Sequence, residues 1–457
     1  MPARQVGPMT PAYTSGMSFQ PVSRAVPLTR ILRACATIPS AVVLALSGLA
    51  AADAAAQSAP APAASAASAP AGPAVRAEMG KPLQAAQEAL RAKDGKAALA
   101  RVAEMEAMPA LTPYELYAIN RLRTVAAVDT GDHALAIASL EKVLGSEHLG
   151  ANERLPMIDI MCRLALQTKD MPRAVTWLTR YKEANGADPQ LRRALPQVLA
   201  ETNDHAGSVR EALLLVQADE AASQVTPEAL LRNLAFSQNK VGDMAGYLST
   251  LERLARLHPR QDYWNELISR TERKPGFDGN RLRLDVYRLL RAVGIALEPD
   301  ELADMASRAH TAGLPAEASA LLEEGFAAGA FAKSKDLPAL QKLRDQAAKA
   351  AAQDKATLGD SERAALANKE GNAAVNLGFA MSGAGMHDKA VSLIEQGMAK
   401  GGLRRPDEAG LHQGVALWRA GRKDDAVKAF GTVKGSDGSA DLARLWSIFV
   451  ALPKKPA

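Results

Sequence analysis

The hydrophobic and polar positions of this chain read as helix–turn–helix units. The turns are marked by Gly95, Gly131, Lys169, Asn203, Gly242, Gly313, Gly385 and Gly421, mostly 34–39 residues apart, with longer gaps where the pattern loses register. A small residue precedes most turns by seven positions: Thr124, Cys162, Ala235, Ala306, Gly378 and Gly414. An alanine follows by five: Ala100, Ala136, Ala174, Ala318, Ala390 and Ala426. A larger apolar residue comes four later: Leu140, Leu178, Leu251, Leu322, Ile394 and Phe430. Small residues on facing sides of two helices let the axes approach closely. The large residue then holds the pair against its neighbour. Size repeats here as well as polarity, and recurrence at such a period predicts stacked helix pairs.

The phrase LLEEGFAAGA at 321–330 returns as LIEQGMAKGG at 393–402. Gly325 and Gly397 are expected to face the next helix, where the lack of a side chain permits close approach. Gly329 and Gly401 are expected to end their helices in a left-handed conformation.

These positions resemble the tetratricopeptide repeat (TPR). The clearest copies are GNAAVNLGFAMSGAGMHDKAVSLIEQGMAKGG (371–402) and DEAGLHQGVALWRAGRKDDAVKAFGTVKG (407–435). LAFSQNKVGDMAGYLSTLERLARLHP (234–259) and MASRAHTAGLPAEASALLEEG (305–325) are two more. The resemblance implies an all-α superhelical solenoid of antiparallel helix pairs over 81–440, after a disordered N-terminal region. Three stretches diverge: 189–225, 261–298 and 331–370. They are read as helical pairs of the same stack. Pro196 takes a small position in the first of them, and elsewhere Tyr247 replaces the alanine after Gly242. Residues 441–457 are expected to form a capping helix and tail, because the end of a solenoid needs its apolar face covered. ARLHPRQDYWNELISRTERKPGF and SADLARLW are similar to segments of uncharacterised secreted TPR-like proteins of Gram-negative bacteria, some of them associated with TonB energy coupling.

The first 56 residues have a different character. Arg4, Arg24, Arg30 and Arg33 precede an apolar run that ends in small residues, with Ala54 and Ala56 in an A-x-A arrangement. This is the pattern of a cleavable secretory signal, so the expected location is the periplasm, with no stable membrane insertion after cleavage. Cys35 precedes the apolar run, which argues against a lipid anchor. Residues 57–80 continue as an Ala/Pro/Ser-rich spacer that cannot bury a core.

Composition changes the picture in three ways. The chain is 47% hydrophobic but only 4% aromatic, which favours close-packed small-residue helices over sheet. The formal charge of +5 includes a net +3 from the first 56 residues (four arginines, one aspartate), leaving +2, so no nucleic-acid footprint is expected. Loss of Cys35 leaves Cys162 alone, so no internal disulfide is expected.

No phosphate loop, H-E-x-x-H, C-x-x-C or G-x-S-x-G motif occurs in the sequence. Glutamates at 141, 252, 323 and 395 recur with the repeat register, unlike a lone general acid. The expectation is therefore a binding protein with no cofactor and no metal, not an enzyme. In the TPR register the concave groove is lined by the first helix of each pair. Carried over position by position, this nominates Arg121, Arg163, Arg232, Asn233, Phe236, Asn239, Asn372, Asn376, Phe379, His412, Trp418 and Arg419. Asparagine can both donate to and accept from a peptide backbone, and Phe or Trp can anchor an apolar side chain. Val375 and Phe379 stand where the family's carboxylate clamp uses Lys and Asn, so that clamp is not reproduced. The expected partners are proteins or peptides, in envelope assembly or a TonB-type complex. The alternative is a glycan-binding scaffold of exopolysaccharide export, which the scarcity of aromatics disfavours.

Overall fold

The structure is a computed structural model that describes residues 74–453. The signal segment, Cys35 and most of the spacer lie outside the described residues. Those described form 21 helices and no strand. The chain divides into two units, Met1–Leu215 and Val216–Ala457.

The first unit contains α1 (Ala77–Arg91), α2 (Gly95–Glu106), α3 (Pro113–Thr130), α4 (His133–Leu144), α5 (Ala151–Gln167), α6 (Met171–Glu183) and α7 (Pro189–Glu201). The boundary falls within α8 (His205–Ala221). Helix α1 begins inside the stretch read as spacer. Met79 is fully buried there, and Arg76 pairs with the buried Glu115 at 2.8 Å. From α1 to α7 each helix packs on the next, and α1 also meets α3 as α5 meets α7.

The pairs are made by a two-residue device. A left-handed residue ends the first helix, and the residue after it returns its N–H to the carbonyl five positions back. Lys93, Gly131, Lys169, Asn203, Gly242, Gly313, Gly385 and Gly421 all have positive φ. The amides of Asp94, Asp132, Asp170, Asp204 and Asp243 make the return bond at 2.8–3.0 Å, satisfying carbonyls that a helix end leaves open. The same aspartates then cap the following helix, accepting from the amides of Ala97, Leu135, Arg173, Gly207 and Gly246 at 2.8–3.1 Å. One dipeptide thus stops one helix and starts the next.

The first turn residue is Lys93, not Gly95. Gly95 already lies inside α2, where an added Cβ would sit 2.8 Å from the Ala126 carbonyl of α3. The register shifts by two, so Ala98 and Val102 are buried while Ala100 is exposed. With that change the small position after the turn is kept in every pair but the one turning at Gly242, where Tyr247 is half-buried. Ala98, Ala136, Ala174, Ala318, Ala390 and Ala426 are all fully buried. A Cβ on Gly378 would meet Ile394 Cγ1 at 2.7 Å and the Ala390 carbonyl at 2.9 Å, which are the two positions the grammar pairs with it.

The second unit contains α9 (Glu228–Lys240), α10 (Met244–Leu257), α11 (Gln261–Glu272), α12 (Arg283–Ala292), α13 (Pro299–Thr311), α14 (Pro315–Ala327) and α15 (Leu337–Ala356). It continues with α16 (Leu358–Ala367), α17 (Asn372–Gly383), α18 (His387–Lys400), α19 (Pro406–Arg419), α20 (Lys423–Gly431) and α21 (Ser439–Val450). The repeated phrase ends α14 and α18. Gly329 and Gly401 both have positive φ, but Gly401, with ψ −156°, is extended rather than in the left-handed helical conformation expected of it. Gly325 and Gly397 do not face the next helix. The Gly325 Cα faces the ring of Phe331, which follows in sequence. Gly397 faces Gly371 and Val375, at the start of its own pair's first helix.

Helix α21 covers α19 and α20, as a terminal helix should, but also packs on α10 and α12. The second unit thereby closes on itself. Lys274 pairs with Asp441 at 2.6 Å, Arg281 with Glu408 at 2.6 Å, and Arg444 with Glu252 at 2.9 Å. The Asp278 amide donates to the Asp437 carbonyl at 2.8 Å. Trp264 meets Phe449 edge-on at 6.4 Å, and Trp446 is wholly buried between Trp418 and Phe430. The helices of the stretch 261–298 therefore pack into the unit, with Tyr263, Trp264 and seven of the ten residues of α12 buried.

Candidate functional site

Closure puts charged residues at the centre of the second unit. Asp285 and Arg288 lie on α12, Glu317 on α14, Phe379 on α17, and His412 and Arg419 on α19. Arg288 grips Glu317 through two hydrogen bonds of 3.0 and 2.7 Å and donates to Asp285 at 2.7 Å. Arg419 reaches Glu317 from the other side at 3.3 Å, and His412 Nε2 lies 3.2 Å from Asp285. The Phe379 ring stacks flat on His412 with centroids 3.9 Å apart, while the Arg288 and Arg419 guanidinium groups lie 4.8 and 5.8 Å from the Phe379 centroid. Such cation–aromatic contacts add to the pairing where water is excluded.

Burial opposes ionisation of Glu317, but Arg288 and Arg419 outweigh it and hold the carboxyl at about 2. Burial acts likewise on Asp285, and His412 and Arg288 overcome it, leaving that carboxyl well below the usual range. Arg419 is shifted the other way for a cation. Burial and the neighbouring Arg288 depress it, and its share of Glu317 does not restore it. The guanidinium stays charged at neutral pH, with its charge under-compensated.

Next to this network is a cavity of about 640 Å³, lined by residues of α12, α13, α14, α17, α18, α19 and α21. Arg291 and Glu324, paired at 2.7 Å, stand at its exposed rim. Trp418, Met305 and Leu321 give it apolar walls. Four of its lining residues carry a buried side-chain polar atom with no hydrogen-bond partner: Ser382 Oγ, His387 Nδ1, Arg419 Nη1 and Trp446 Nε1, none of which is open to the cavity itself. Ser382 is 2% exposed and Trp446 is not exposed at all. An unsatisfied buried polar atom costs about 1–3 kcal/mol, so several around one cavity call for an explanation.

The structure gathers only some of the nominated residues. Phe379, His412, Trp418 and Arg419 meet at this centre, with Phe379 buried in it rather than lining an open groove. Asn372 and Asn376 line a second cleft of about 340 Å³ with Leu403, Arg404 and the edge of His412. There Asn372, at the start of α17, ties down the loop between α18 and α19, donating to the Gly402 carbonyl and accepting from the Arg404 amide at 3.0 Å. Arg232, Asn233, Phe236 and Asn239 sit apart on α9; Asn233 is buried and Asn239 exposed. In the first unit Arg121 is buried against Tyr117 and Glu153, and Arg163 is held by Asp159 and Asp188. These two arginines are spent on structure. A further depression of about 570 Å³ in the first unit includes Trp177 and Arg180 but none of the nominated residues.

Asp285, Arg288, Glu317, Ser382 and Trp446 escaped the sequence reading. The first two fall where the repeat register is lost. Their trace was nevertheless present in RLRLDVYRLL, where an aspartate and an arginine three apart sit among buried apolar positions. Charges on such a helix need partners.

Among the described residues no cluster of His, Cys, Asp and Glu is arranged to hold a metal ion, and no helix is long and apolar enough to cross a membrane. No protein-family model matches the chain, and no curated protein is significantly similar to it.

Proposed function

We propose that this protein is an exported scaffold of TPR-type helix pairs that binds a protein or peptide partner in the periplasm, through the cavity and rim of its second unit. The observation that carries the reading is one cavity in a helical array with no catalytic motif, where two tryptophans and an apolar wall lie beside a rim of paired charges. The turn residues support the repeat assignment, since 93, 131, 169, 203 and 242 are 38, 38, 34 and 39 apart, close to the 34-residue period of the family. The N-terminal pattern of arginines, apolar run and small residues supports export. Envelope assembly or an energy-coupling complex fits an exported binding protein, and the pairing of Arg291 with Glu324 gives the rim both charge signs.

The test is capture from an envelope extract with tagged wild-type protein and with an Arg291→Ala/Trp418→Ala variant of equal stability, followed by rebinding of the purified partner. A partner that binds the wild type and is lost with the variant is the expected outcome. Equal recovery on both, or none on either, overturns the reading.

A further inference from the structure

We propose that the cleft between α17 and α19 is a docking site for an extended acidic segment of a partner protein, with Arg404 taking an Asp or Glu side chain and Asn376 the backbone beside it. The cleft shares no lining residue with the larger cavity beside Trp418, and the inference does not depend on that cavity.

Three observations carry it. The first is convergence. Asn372 and Asn376 are one turn apart on α17, and Glu408 and His412 are one turn apart on α19, so each pair shares a helix face. All four line the same cleft, and so do Leu403, Arg404 and Arg405 from the loop joining α18 to α19. That loop is fixed in place. Besides its two bonds to Asn372, its Gly401 carbonyl accepts from the Gly371 amide at 2.9 Å. The second is availability. Asn376, Arg404 and Arg405 are exposed. Among the described residues none pairs with the Arg404 guanidinium or the Asn376 side-chain amide. The third is charge. Glu408, the one carboxylate among the lining residues, is paired with Arg281 at 2.6 Å and also lies 3.4 Å from Arg405. The cleft keeps an excess of positive charge, which favours an acidic partner. The Asn376 amide offers both donors and an acceptor, which a peptide link satisfies and a lone anion does not. Leu403 gives an apolar side chain next to the acid a surface to pack on. These arginines come from the loop between helix pairs, not from positions 375 and 379, where a carboxylate clamp of the TPR kind would stand.

Fluorescence polarisation on the purified protein reads the binding. The probes are two peptides labelled at the N-terminus and amidated at the C-terminus, Ala-Asp-Leu-Glu-Ala and its uncharged counterpart Ala-Asn-Leu-Gln-Ala, with succinate as a small-anion competitor. The acidic peptide should bind about tenfold more tightly than the uncharged one at low salt, and the gap should narrow as salt rises. Arg404→Gln should close that gap with no change in melting temperature. Asn376→Ala should weaken both peptides alike, by about threefold. Lys389→Gln, which removes an exposed charge of α18 outside the cleft, should change nothing. Equal affinity for the two peptides, no binding of either, or a loss with Lys389→Gln as large as with Arg404→Gln overturns the docking site. Succinate that competes at the acidic peptide's own affinity overturns it too, since the cleft would then be a site for small anions. Binding that appears only when the peptide carries a free C-terminus overturns the assignment to an acidic side chain.

Discussion

The close approach at Gly397 makes one substitution reverse its sign between two helices of the same unit. Gly359 and Gly397 both lie in helices, and alanine is the better helix former by about 1 kcal/mol in an interior position. A Cβ at Gly359 meets nothing within 4 Å. Gly359→Ala, near the start of α16, should therefore stabilise by about 0.5 kcal/mol. A Cβ at Gly397 would sit 2.8 Å from the Gly371 carbonyl oxygen and 2.9 Å from both Val375 Cγ2 and the Val375 amide nitrogen. Two of those atoms are backbone, so no rotamer change relieves the contact. The start of α17 must shift away, straining the bond from the Gly371 amide to the Gly401 carbonyl at 2.9 Å. Overpacking costs about 1–3 kcal/mol and a weakened hydrogen bond up to about 1 more, against about 1 recovered in propensity. Gly397→Ala should therefore destabilise by about 2 kcal/mol, and Gly397→Leu by more. Urea unfolding followed by circular dichroism measures both, with the midpoint falling for Gly397→Ala and rising slightly for Gly359→Ala at unchanged slope. A Gly397→Ala protein as stable as Gly359→Ala would refute the close contact between α18 and the start of α17.

Three further outcomes follow from the buried groups. Arg288→Met removes the cation shared by Asp285 and Glu317, both buried, and should cost the second unit about 3 kcal/mol; no loss in urea midpoint would mean that His412 and Arg419 suffice. Glu317 is held at about 2, below its unfolded value, so its pairing stabilises fully above about pH 4.5 and is lost as pH falls towards 2. Acid titration of the urea midpoint should show that fall, with a flatter profile in Glu317→Gln; identical profiles would contradict it. Burial, with the Asp159 charge beside it, pushes the Cys162 thiol up to about 12, so a thiol reagent should label it only as fast as the protein opens, and rapid native labelling mapped to Cys162 would be the contrary result.

How much could be read from the sequence follows from the range of each interaction. The turn device joins residues no more than five apart, so it is written locally: a left-handed residue followed by aspartate at 93–94, 131–132, 169–170, 203–204 and 242–243. Attention to that aspartate would have placed the first turn at Lys93 instead of Gly95. The central network is different. Asp285 meets His412 across 127 positions and Glu317 meets Arg419 across 102. No spacing rule reaches that far. The repeat register did select Phe379, His412, Trp418 and Arg419, because α17 and α19 are first helices of adjacent pairs and present equivalent faces to the same side. It described that side as an open groove because it treated every pair alike. Helix α12, from the pair that departs from the register, and the terminal helix α21 pack against that face. Their side chains convert it into a centre with a cavity beside it. The repeated positions therefore account for the framework. The candidate site arises where the repeat fails, since only residues outside the common pattern can supply a partner that no other pair has.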